Sequence, residues 1–370
     1  MTQENGRNRT VVVAMSGGVD SSVTAALLLE RGYNVIGITM KTYDFDEVGG
    51  NVANETSCCG LDAMNDARLV AAMLGIPHYV VDFREQFGRR VIDYFVQEYI
   101  EGRTPNPCIM CNRDIKWGAL LEKVESLGAS YLATGHYARV RFDERVGRYC
   151  VSQGVDSKKD QSYALWALSQ DALGKTMFPL GDVTKQEVRN IAHQLGLRTA
   201  KKAESYEICF VPDNDYSRFL KERVPELAED VLGGDIVWKD RIVGKHRGYP
   251  FYTIGQRKGI GAYGKRVYVT GIQKDFNAVY IGTEEDLLRR GLTATNVNLQ
   301  LPMAVGEGRS CRAKVRYKDE ASPAMATLLP DGRLQVEFEV PKRAITPGQS
   351  VVLYDGEDVI GGGIIHSAMN

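Results

Sequence analysis

The chain has 370 residues, a length typical of two or three domains, and its 44% hydrophobic and 25% charged residues exclude wholesale disorder. Because 46 Lys and Arg stand against 47 Asp and Glu, the net charge of −1 excludes a generally basic coat for nucleic acid, although not a local basic patch. The sequence has no apolar run of the roughly 18 residues that a membrane span needs, and seven cysteines without a secretion signal indicate reduced thiols and not a disulfide framework.

The first half of the chain alternates predicted strands and helices, after a polar stretch, residues 1–9, that predicts a flexible tail. The elements are strand Thr10–Met15, helix Ser21–Glu30, strand Val35–Met40, helix Leu61–Leu74, strand His78–Asp82, helices Arg84–Glu101 and Asp114–Leu127, and strand Tyr131–Thr134. This alternation predicts an α/β fold with a doubly wound parallel sheet, whose ligand binds at the carboxyl ends of the strands.

The character of the sequence changes in the second half. A predicted helical region, Gln161–Leu195, is followed by a short acidic helical stretch, Asp213–Asp230. From Gly233 onward, short β-runs and turns predominate, and Asp331-Gly332 and Asp355-Gly356 predict hairpins. We therefore predict domains over residues 10–212, 213–285 and 286–370.

A glycine-rich turn, Ser16-Gly-Gly-Val-Asp-Ser-Ser22, lies between the first predicted strand and helix. Its glycines let the backbone approach an anion closely, while the N–H groups of the helix start and the hydroxyls supply donors. The turn lacks the Gly-Lys-Ser/Thr element of a Walker loop. It resembles the pyrophosphate loop of the ATP pyrophosphatases, which cleave ATP to AMP and pyrophosphate while adenylating a substrate. The alternative is a plain strand-to-helix turn with capping side chains.

Two cysteines stand in a proline-rich loop ahead of a helix, Thr104-Pro-Asn-Pro-Cys-Ile-Met-Cys111. The prolines stiffen the loop, and a thiol near a helix N-terminus has a lowered pKa and more of the reactive thiolate. The residues alone leave four interpretations open: a redox Cys-x-x-Cys, a zinc site, nucleophilic or cluster-binding thiols beside an ATP site, and two buried inert cysteines. Of the remaining cysteines, the pair Cys58-Cys59 has no assigned role, and apolar surroundings favour core positions for Cys150, Cys209 and Cys311.

Five segments stand in order along the chain: AMSGGVDSS, GRTPNPCIMCNRDIKW, ATGHYARV, SKKDQSYALWAL and AKKAESYEICFVP. Together they resemble one family, the bacterial tRNA-specific 2-thiouridylases, which thiolate the wobble uridine of certain tRNAs. YTIGQRKGIG and ITPGQSVVLYDGEDVIGGGII match further downstream, so the resemblance runs from about Val11 to Ile365. It implies an ATP pyrophosphatase domain, a small central adaptor domain and a C-terminal β-barrel.

The resemblance also implies roles for individual residues. Cys111 would be the nucleophile and Cys209 would carry the sulfur as a persulfide, with Cys108 and Asp20 completing the catalytic set. ATP, accompanied by Mg²⁺, is implied as the cofactor, and the residues that would hold ATP are Ala14, Met15, Ser16, Gly17, Gly18, Val19, Asp20, Ser21, Met40 and Gly135. The anticodon loop of the tRNA would contact Asn106, Pro107, Cys108, His136, Lys159, Asp160, Gln161, Arg316, Tyr317 and Gln349.

Cys108 departs from the commonest family pattern, because many members have Asp at this position. Three thiols, Cys108, Cys111 and Cys209, would suit a 4Fe-4S cluster with one open iron, as in related thiolases with three such cysteines. Two routes therefore stay open. A persulfide on Cys209 would leave a Cys111–Cys209 disulfide for a reductant to reopen, whereas a cluster would hold the sulfur as sulfide. A protein sulfur donor or free sulfide would supply either route.

Basic residues concentrate in the second half of the chain. The stretch Arg241–Asp275 contains eight basic residues and one acidic residue, and we expect its five aromatic rings to offer stacking faces to RNA. The alternative is a solvated β-surface whose rings belong to the core. A second basic set alternates along the chain and is predicted to share one strand face: Arg312, Lys314, Arg316 and Lys318.

The sequence therefore predicts a cytoplasmic, ATP-dependent tRNA uridine 2-sulfurtransferase that releases AMP and pyrophosphate. One alternative is a synthetase that adenylates a small molecule with the same loop, but the basic second half argues against it. The other is a non-catalytic RNA-binding protein that kept a nucleotide loop. Asp20, Cys111 and Cys209 argue against that alternative.

Overall fold

The computed structural model describes residues 9–44, 61–202 and 208–370. The chain divides into two compact units, and each is made of separate stretches. The first unit comprises Met1–Val91, Cys108–Asn214 and Glu357–Val359, and the second comprises Ile92–Pro107, Asp215–Gly356 and Ile360–Asn370. The expected N-terminal tail (except Arg9), the pair Cys58-Cys59 and residues 203–207 lie outside the described residues.

The described part of the first unit is built on a five-stranded parallel sheet. In spatial order the strands are His78–Asp82, Asn34–Lys41, Thr10–Ala14, Tyr131–Ala133 and Thr176–Met177. The strand order reverses between Thr10–Ala14 and Tyr131–Ala133, which is the switch point where sheets of this kind bind ligands. The predicted α/β fold is confirmed.

Helices cover this sheet and share a core with it that includes Val13, Leu28 and Val188. The α-helices are Val19–Glu30, Leu61–Leu74, Arg84–Phe87, Pro107–Met110, Leu121–Ser126, Gln170–Gly174 and Lys185–Gln194, with π-helical stretches Gly88–Ile92 and Cys111–Leu120 and 3₁₀ turns Ser162–Leu165 and Arg198–Lys201. The helix Lys185–Gln194 begins at a capping box, in which Thr184 and Glu187 bond each other's backbone N–H groups. No described helix is long and apolar enough to cross a membrane.

Three predictions for this unit differ from the structure. Both long helices, predicted over Arg84–Glu101 and Asp114–Leu127, contain π-helical stretches, which the usual apolar periodicity does not distinguish from α-helix. The region predicted as helical over Gln161–Leu195 contains the edge strand Thr176–Met177, a two-residue segment too short to show a period. An antiparallel hairpin, Ala138–Asp143 with Arg148–Gln153, was not predicted as a hairpin, although the segment around Cys150 was expected to be strand-like.

The second unit contains a four-stranded sheet and a barrel. The sheet order is Tyr268–Gln273, Ala278–Gly282, Asp235–Trp238 and Arg241–Lys245. The barrel order is Leu288–Leu299, Leu334–Arg343, Ser322–Leu328, Gly308–Lys314, Ser350–Asp355 and Asp358–Met369, and the last strand pairs with the first. Closure leaves the barrel without an open edge. The predicted C-terminal β-barrel and the hairpin turn at Asp331-Gly332 are confirmed.

Helical segments of the second unit include one that lies early in the chain. Their bounds are Asp93–Ile100, Tyr216–Arg223 and Leu227–Asp230, with 3₁₀ turns Tyr249–Phe251, Lys274–Phe276 and Glu285–Leu287. The early helix packs against the later one through aromatic rings. Tyr99 stacks on Tyr216 at 4.6 Å between ring centroids, and Phe95 meets Phe219 edge-on at 6.0 Å. The loop that follows this helix leads directly to Cys108.

Candidate active site

The phosphate loop leaves the sheet at its switch point and is closed by its own side chains. Ser21 Oγ accepts a hydrogen bond from the Ser16 backbone N–H at 3.1 Å. Gly17 has φ of +68°, and a Cβ at this position would stand 2.0 Å from the carbonyl oxygen of Ala63, so only glycine fits. The helix Val19–Glu30 begins at once, which directs its N-terminal N–H groups toward an anion in the loop.

Asp20, at the start of this helix, is bound by two side chains that the sequence did not single out. Lys185 Nζ donates to both carboxylate oxygens of Asp20, at 2.7 and 2.8 Å, and Tyr137 Oη donates to one of them at 2.7 Å. Lys185 is buried although it is a lysine. Its only sequence signal was its place beside the Thr184 cap, which marks a helix start and not a nucleotide site.

Two further ATP candidates lie at the carboxyl ends of their strands. Gly135 follows the strand Tyr131–Ala133 and lies against the helix start, since a Cβ there would be 2.9 Å from Asp20. Met40 stands near the end of its strand and is partly exposed. Gly135 is therefore brought directly to the loop, whereas Met40 shares only its edge of the sheet.

The two cysteines of the proline-rich loop have accessible thiols. Cys108 is exposed and Cys111 is partly exposed, while Ile109 and Met110 between them are buried. The interpretation of both cysteines as buried and inert is therefore wrong. Cys111 is the first residue of the π-helical stretch Cys111–Leu120, a kind of segment that recurs at functional sites.

This π-helical stretch is fixed by residues far along the chain. Asn112 is buried, its Nδ2 donates to the Ala164 carbonyl at 2.9 Å, and its Oδ1 accepts from Lys116 Nζ at 2.9 Å. Trp117 Nε1 donates to Thr176 Oγ1 at 2.6 Å. The position of Cys111 therefore depends on contacts with remote parts of the first unit.

Cys209 is partly exposed, so it is not the core residue that its apolar neighbours suggested. Its carbonyl accepts a hydrogen bond from Tyr43 Oη at 2.5 Å, and the next residue, Phe210, is buried against Phe87. Cys150 and Cys311 are buried as predicted, and burial raises the pKa of both thiols to about 11.

Lys202 connects the phosphate loop to the chain segment that leads to Cys209. Its Nζ donates to the Gly17 carbonyl at 3.2 Å and pairs with Asp66 at 2.8 Å. Among the described residues, no group of three or more His, Cys, Asp or Glu side chains is close enough to hold a metal ion. Cys108, Cys111 and Cys209 are therefore not gathered as cluster ligands in this structure.

The candidate tRNA residues of the first unit differ in what their side chains do. His136 is partly exposed, shares a 2.6 Å hydrogen bond with Thr134 Oγ1, and has a pKa held well below its usual range by burial and by the Lys116 ammonium. Asp160 is buried and accepts bonds from Gly154 and Ser162, and Gln161 Oε1 accepts from the Tyr137 N–H. Lys159, the first of these three consecutive residues, is partly exposed.

The candidate tRNA residues of the second unit also differ in the exposure and the hydrogen bonds of their side chains. Tyr317 is 41% exposed, and Arg316 is partly exposed with its guanidinium donating to the Arg343 carbonyl at 3.2 Å. Asn106 is partly exposed and Pro107 is buried. Gln349 does not point outward, because its Nε2 donates to the carbonyls of Thr104 and Pro105 at 2.9 and 3.1 Å.

The basic stretch Arg241–Asp275 is confirmed as a charged surface, but three of its rings are not stacking faces. All eight of its basic residues are exposed. Tyr249, Phe251 and Tyr252 are buried, because the short turn that carries them packs into the core. The expectation that they stack on RNA bases is therefore wrong.

Both basic surfaces have a defined geometry. Arg312 and Lys314 alternate with the buried residues Cys311 and Ala313 on the strand Gly308–Lys314, so these two share one face as predicted, whereas Arg316 and Lys318 lie beyond the strand end. A cleft of about 950 Å³ is also present in the second unit, lined by Asp215, Ser217, Arg218, Lys221, Glu222, Arg247 and Lys258.

Three family models match the chain in order. They are described as a tRNA methyl transferase HUP domain over residues 9–213, a tRNA methyl transferase PRC-barrel domain over residues 217–283, and an aminomethyltransferase beta-barrel domain over residues 289–365. Nearly the whole length of the sequence also aligns with individual relatives.

The tRNA-specific 2-thiouridylase MnmA of Salinibacter ruber is 54% identical over 360 residues, which is 96% of this chain and 94% of that protein. The protein of the same name from Amoebophilus asiaticus is 53% identical over 363 residues, 97% of this chain and 95% of that one. A solved 4-thiouridine synthetase–RNA complex with bound ATP aligns at 19% identity and a TM-score of 0.37 over 59% of this chain and 51% of that one, too distant to add to these matches.

Proposed function

Since the chain belongs to the family of tRNA-specific 2-thiouridylases, we propose that it uses ATP to replace the 2-oxygen of the tRNA wobble uridine with sulfur. We place this reaction in the cytoplasm. Because the identity to 2-thiouridylases extends over both units, we set aside a synthetase acting on a small molecule and a non-catalytic RNA-binding protein.

The first step activates the uridine. The C2 carbonyl is a poor electrophile without a leaving group, so its oxygen attacks the α-phosphorus of ATP and pyrophosphate departs. The loop Ser16–Ser21 holds the phosphates with N–H groups of the helix start, and Lys185 offsets the charge of Asp20 beside them. Mg²⁺, when bound with ATP, neutralises charge that develops on the departing pyrophosphate.

The second step transfers sulfur. The terminal sulfur of a Cys209 persulfide attacks C2, AMP leaves, and the uridine is joined to Cys209 through a disulfide. The Cys111 thiolate then attacks the Cys209 sulfur, which releases 2-thiouridine and forms a Cys111–Cys209 disulfide. The cycle then restarts in one of two ways. A thiol reductant reopens this disulfide and a protein persulfide donor transfers its outer sulfur to Cys209, or sulfide attacks the disulfide at Cys209, which regenerates the persulfide and releases the Cys111 thiolate.

We derive no step through an iron–sulfur cluster, because the three thiols Cys108, Cys111 and Cys209 do not form a ligand group in the described residues. The tRNA, whose target base must leave its stack, would lie along the exposed basic side chains of the second unit. Asn106, Pro107 and Cys108 would contact the target base, and His136, Lys159, Arg316 and Tyr317 would contact its surroundings.

One observation supports this proposal above the others: Lys202, which stands seven positions before Cys209 in the sequence, binds the carbonyl of Gly17 in the phosphate loop at 3.2 Å. Adenylation at the loop and sulfur delivery by Cys209 would then act on one base. A plain nucleotide-binding turn has no need of an accessible thiol on a neighbouring segment.

The deciding experiment measures 2-thiouridine formed from purified tRNA, ATP and a persulfide sulfur donor. We expect Cys111→Ser and Cys209→Ser to lose at least about 10³-fold in rate, since each removes a covalent step. Cys311→Ala, which changes a buried thiol, should stay near the wild-type rate. Wild-type turnover in either serine variant contradicts the sulfur-transfer step, and iron-dependent activity in anaerobically purified protein would revive the cluster route.

A further inference from the structure

Gln349 lies in a turn of the second unit that holds the chain just before the cysteines. Its Nε2 donates to two successive carbonyls, those of Thr104 at 2.9 Å and Pro105 at 3.1 Å. Pro105 has no backbone N–H, so its backbone can form a hydrogen bond through its carbonyl alone. An amide with two N–H donors is well suited to bind two adjacent carbonyls at once.

The same turn closes on Thr104 from its backbone side. The Thr104 N–H donates to the Pro347 carbonyl at 2.9 Å. Gly348 has φ of +89°, and a Cβ there would stand 2.8 Å from the Thr104 carbonyl oxygen and 2.9 Å from its nitrogen. Pro347, Gly348 and Gln349 therefore fit against Thr104 with no room for a side chain on the glycine.

The residues upstream of Thr104 are also restrained. Arg103 forms a two-pronged ion pair with the buried carboxylate of Glu98, at 2.9 and 2.5 Å. Lys274 Nζ donates to Glu101 at 2.6 Å, and Tyr249 Oη donates to the Ile100 carbonyl at 2.6 Å. Four residues between Glu98 and Arg103 are thus held by these bonds, and Gln349 binds the next two residues, Thr104 and Pro105.

We propose that Gln349 is a positioning residue: it fixes the carbonyls of Thr104 and Pro105 and thereby sets where Asn106, Pro107 and Cys108 present themselves to the target base. The proposal rests on the base-contacting role proposed above for these three residues. Two prolines make the segment stiff, so a shift at Thr104 is transmitted to Cys108 and is not absorbed. A direct tRNA contact by Gln349 would instead require its amide to release both carbonyls.

The test compares Gln349→Ala and Gly348→Ala with two matched controls on the same barrel. Gln335→Ala removes an amide whose described side-chain hydrogen bond goes to Glu337. Gly332→Ala adds a Cβ to a glycine with φ of +80°, at a place where nothing lies within 4 Å. Three quantities are measured: the dissociation constant for tRNA, the single-turnover rate of 2-thiouridine formation at saturating tRNA, and the rate at which iodoacetamide alkylates Cys108 without tRNA, followed by peptide mass spectrometry.

For a positioning role, both test variants lower the saturated rate by about 10- to 100-fold, keep the tRNA dissociation constant within about twofold, and change Cys108 alkylation by at least about threefold. Both controls stay at wild type in all three. A dissociation constant raised several-fold with an unchanged saturated rate and unchanged alkylation would overturn the proposal in favour of a tRNA contact. If the wild-type protein makes no 2-thiouridine, the proposed function fails, and alkylation alone still decides the role of Gln349.

Discussion

The phosphate loop and the cysteine segment Cys108–Leu120 belong to the same unit but obtain their shapes in different ways. The loop is closed by neighbours in sequence, as in the bond between Ser16 and Ser21, five positions apart. The cysteine segment depends on Ala164 and Thr176, which lie 52 and 59 positions from the residues they bind.

This difference separates the two halves of the chemistry. A locally closed loop keeps its shape wherever a strand meets a helix, so ATP binding survives most changes elsewhere. The position of Cys111 depends on remote parts of the unit, so distant substitutions should alter the reactivity of this thiol first. Asp20 and Gly17 are exceptions within the loop, because Lys185 and Lys202, which bind them, are remote in sequence.

The largest effect should come from Lys185→Met, which removes the remote lysine that binds Asp20 in the loop. The substitution leaves the negative charge of Asp20 without its lysine partner next to the phosphates of bound ATP. We therefore expect ATP affinity to fall about 100-fold, equivalent to about 3 kcal/mol. Lys175→Met, which removes an exposed lysine paired with Glu125 and Asp171, is the control. Isothermal titration calorimetry measures the affinity, and an unchanged value contradicts a charge-balancing role. Adding Asp20→Asn should restore part of the loss.

An intermediate effect is expected from Asn112→Ala, which acts on the cysteine segment alone. The change leaves the Ala164 carbonyl without its donor, and the free energy of unfolding should fall by about 1–3 kcal/mol. Alkylation of Cys111 should accelerate while ATP affinity stays unchanged. Asn190→Ala, at an exposed position bonded by Gln186, is the control. Weaker ATP binding in Asn112→Ala would show that the two regions are not separable.

The smallest effect concerns His136, whose ring lies 5.7 Å from that of Trp117 in the cysteine segment. Its pKa is lower in the folded chain than the usual value of about 6.5. Below pH 6.5 the unfolded chain therefore binds a proton that the folded chain does not, so stability is full above this pH and is lost as pH falls toward the folded pKa. Urea unfolding at pH 5.5 and 7.5 should show a smaller difference for His136→Gln than for the wild type or for His193→Gln, and an equal difference refutes the assignment.

The sequence predicted most of what is local. The phosphate loop and the α/β sheet follow from a short motif and from apolar periodicity, whereas the barrel was implied by the family resemblance, and each was found. Lys185 could not be found, since a lysine in an amphipathic helix is ordinarily solvated and only the fold buries it. By resemblance, Gln349 was expected to contact the tRNA. Its amide instead binds two carbonyls that lie some 245 positions earlier in the sequence. Such pairings have no local signature.

The three residues Glu357–Val359 have a consequence for how the protein is made. They belong to the first unit, where Asp358 pairs with Ser152 and Glu357 with Arg139. Domains ordinarily fold as they leave the ribosome, N-terminal first. Here the first unit gains these partners only after residues 215–356 of the second unit have been made. A chain truncated before residue 357 would lack them, and its N-terminal unit would be exposed to proteases for as long as the hairpin Ala138–Gln153 stays uncovered.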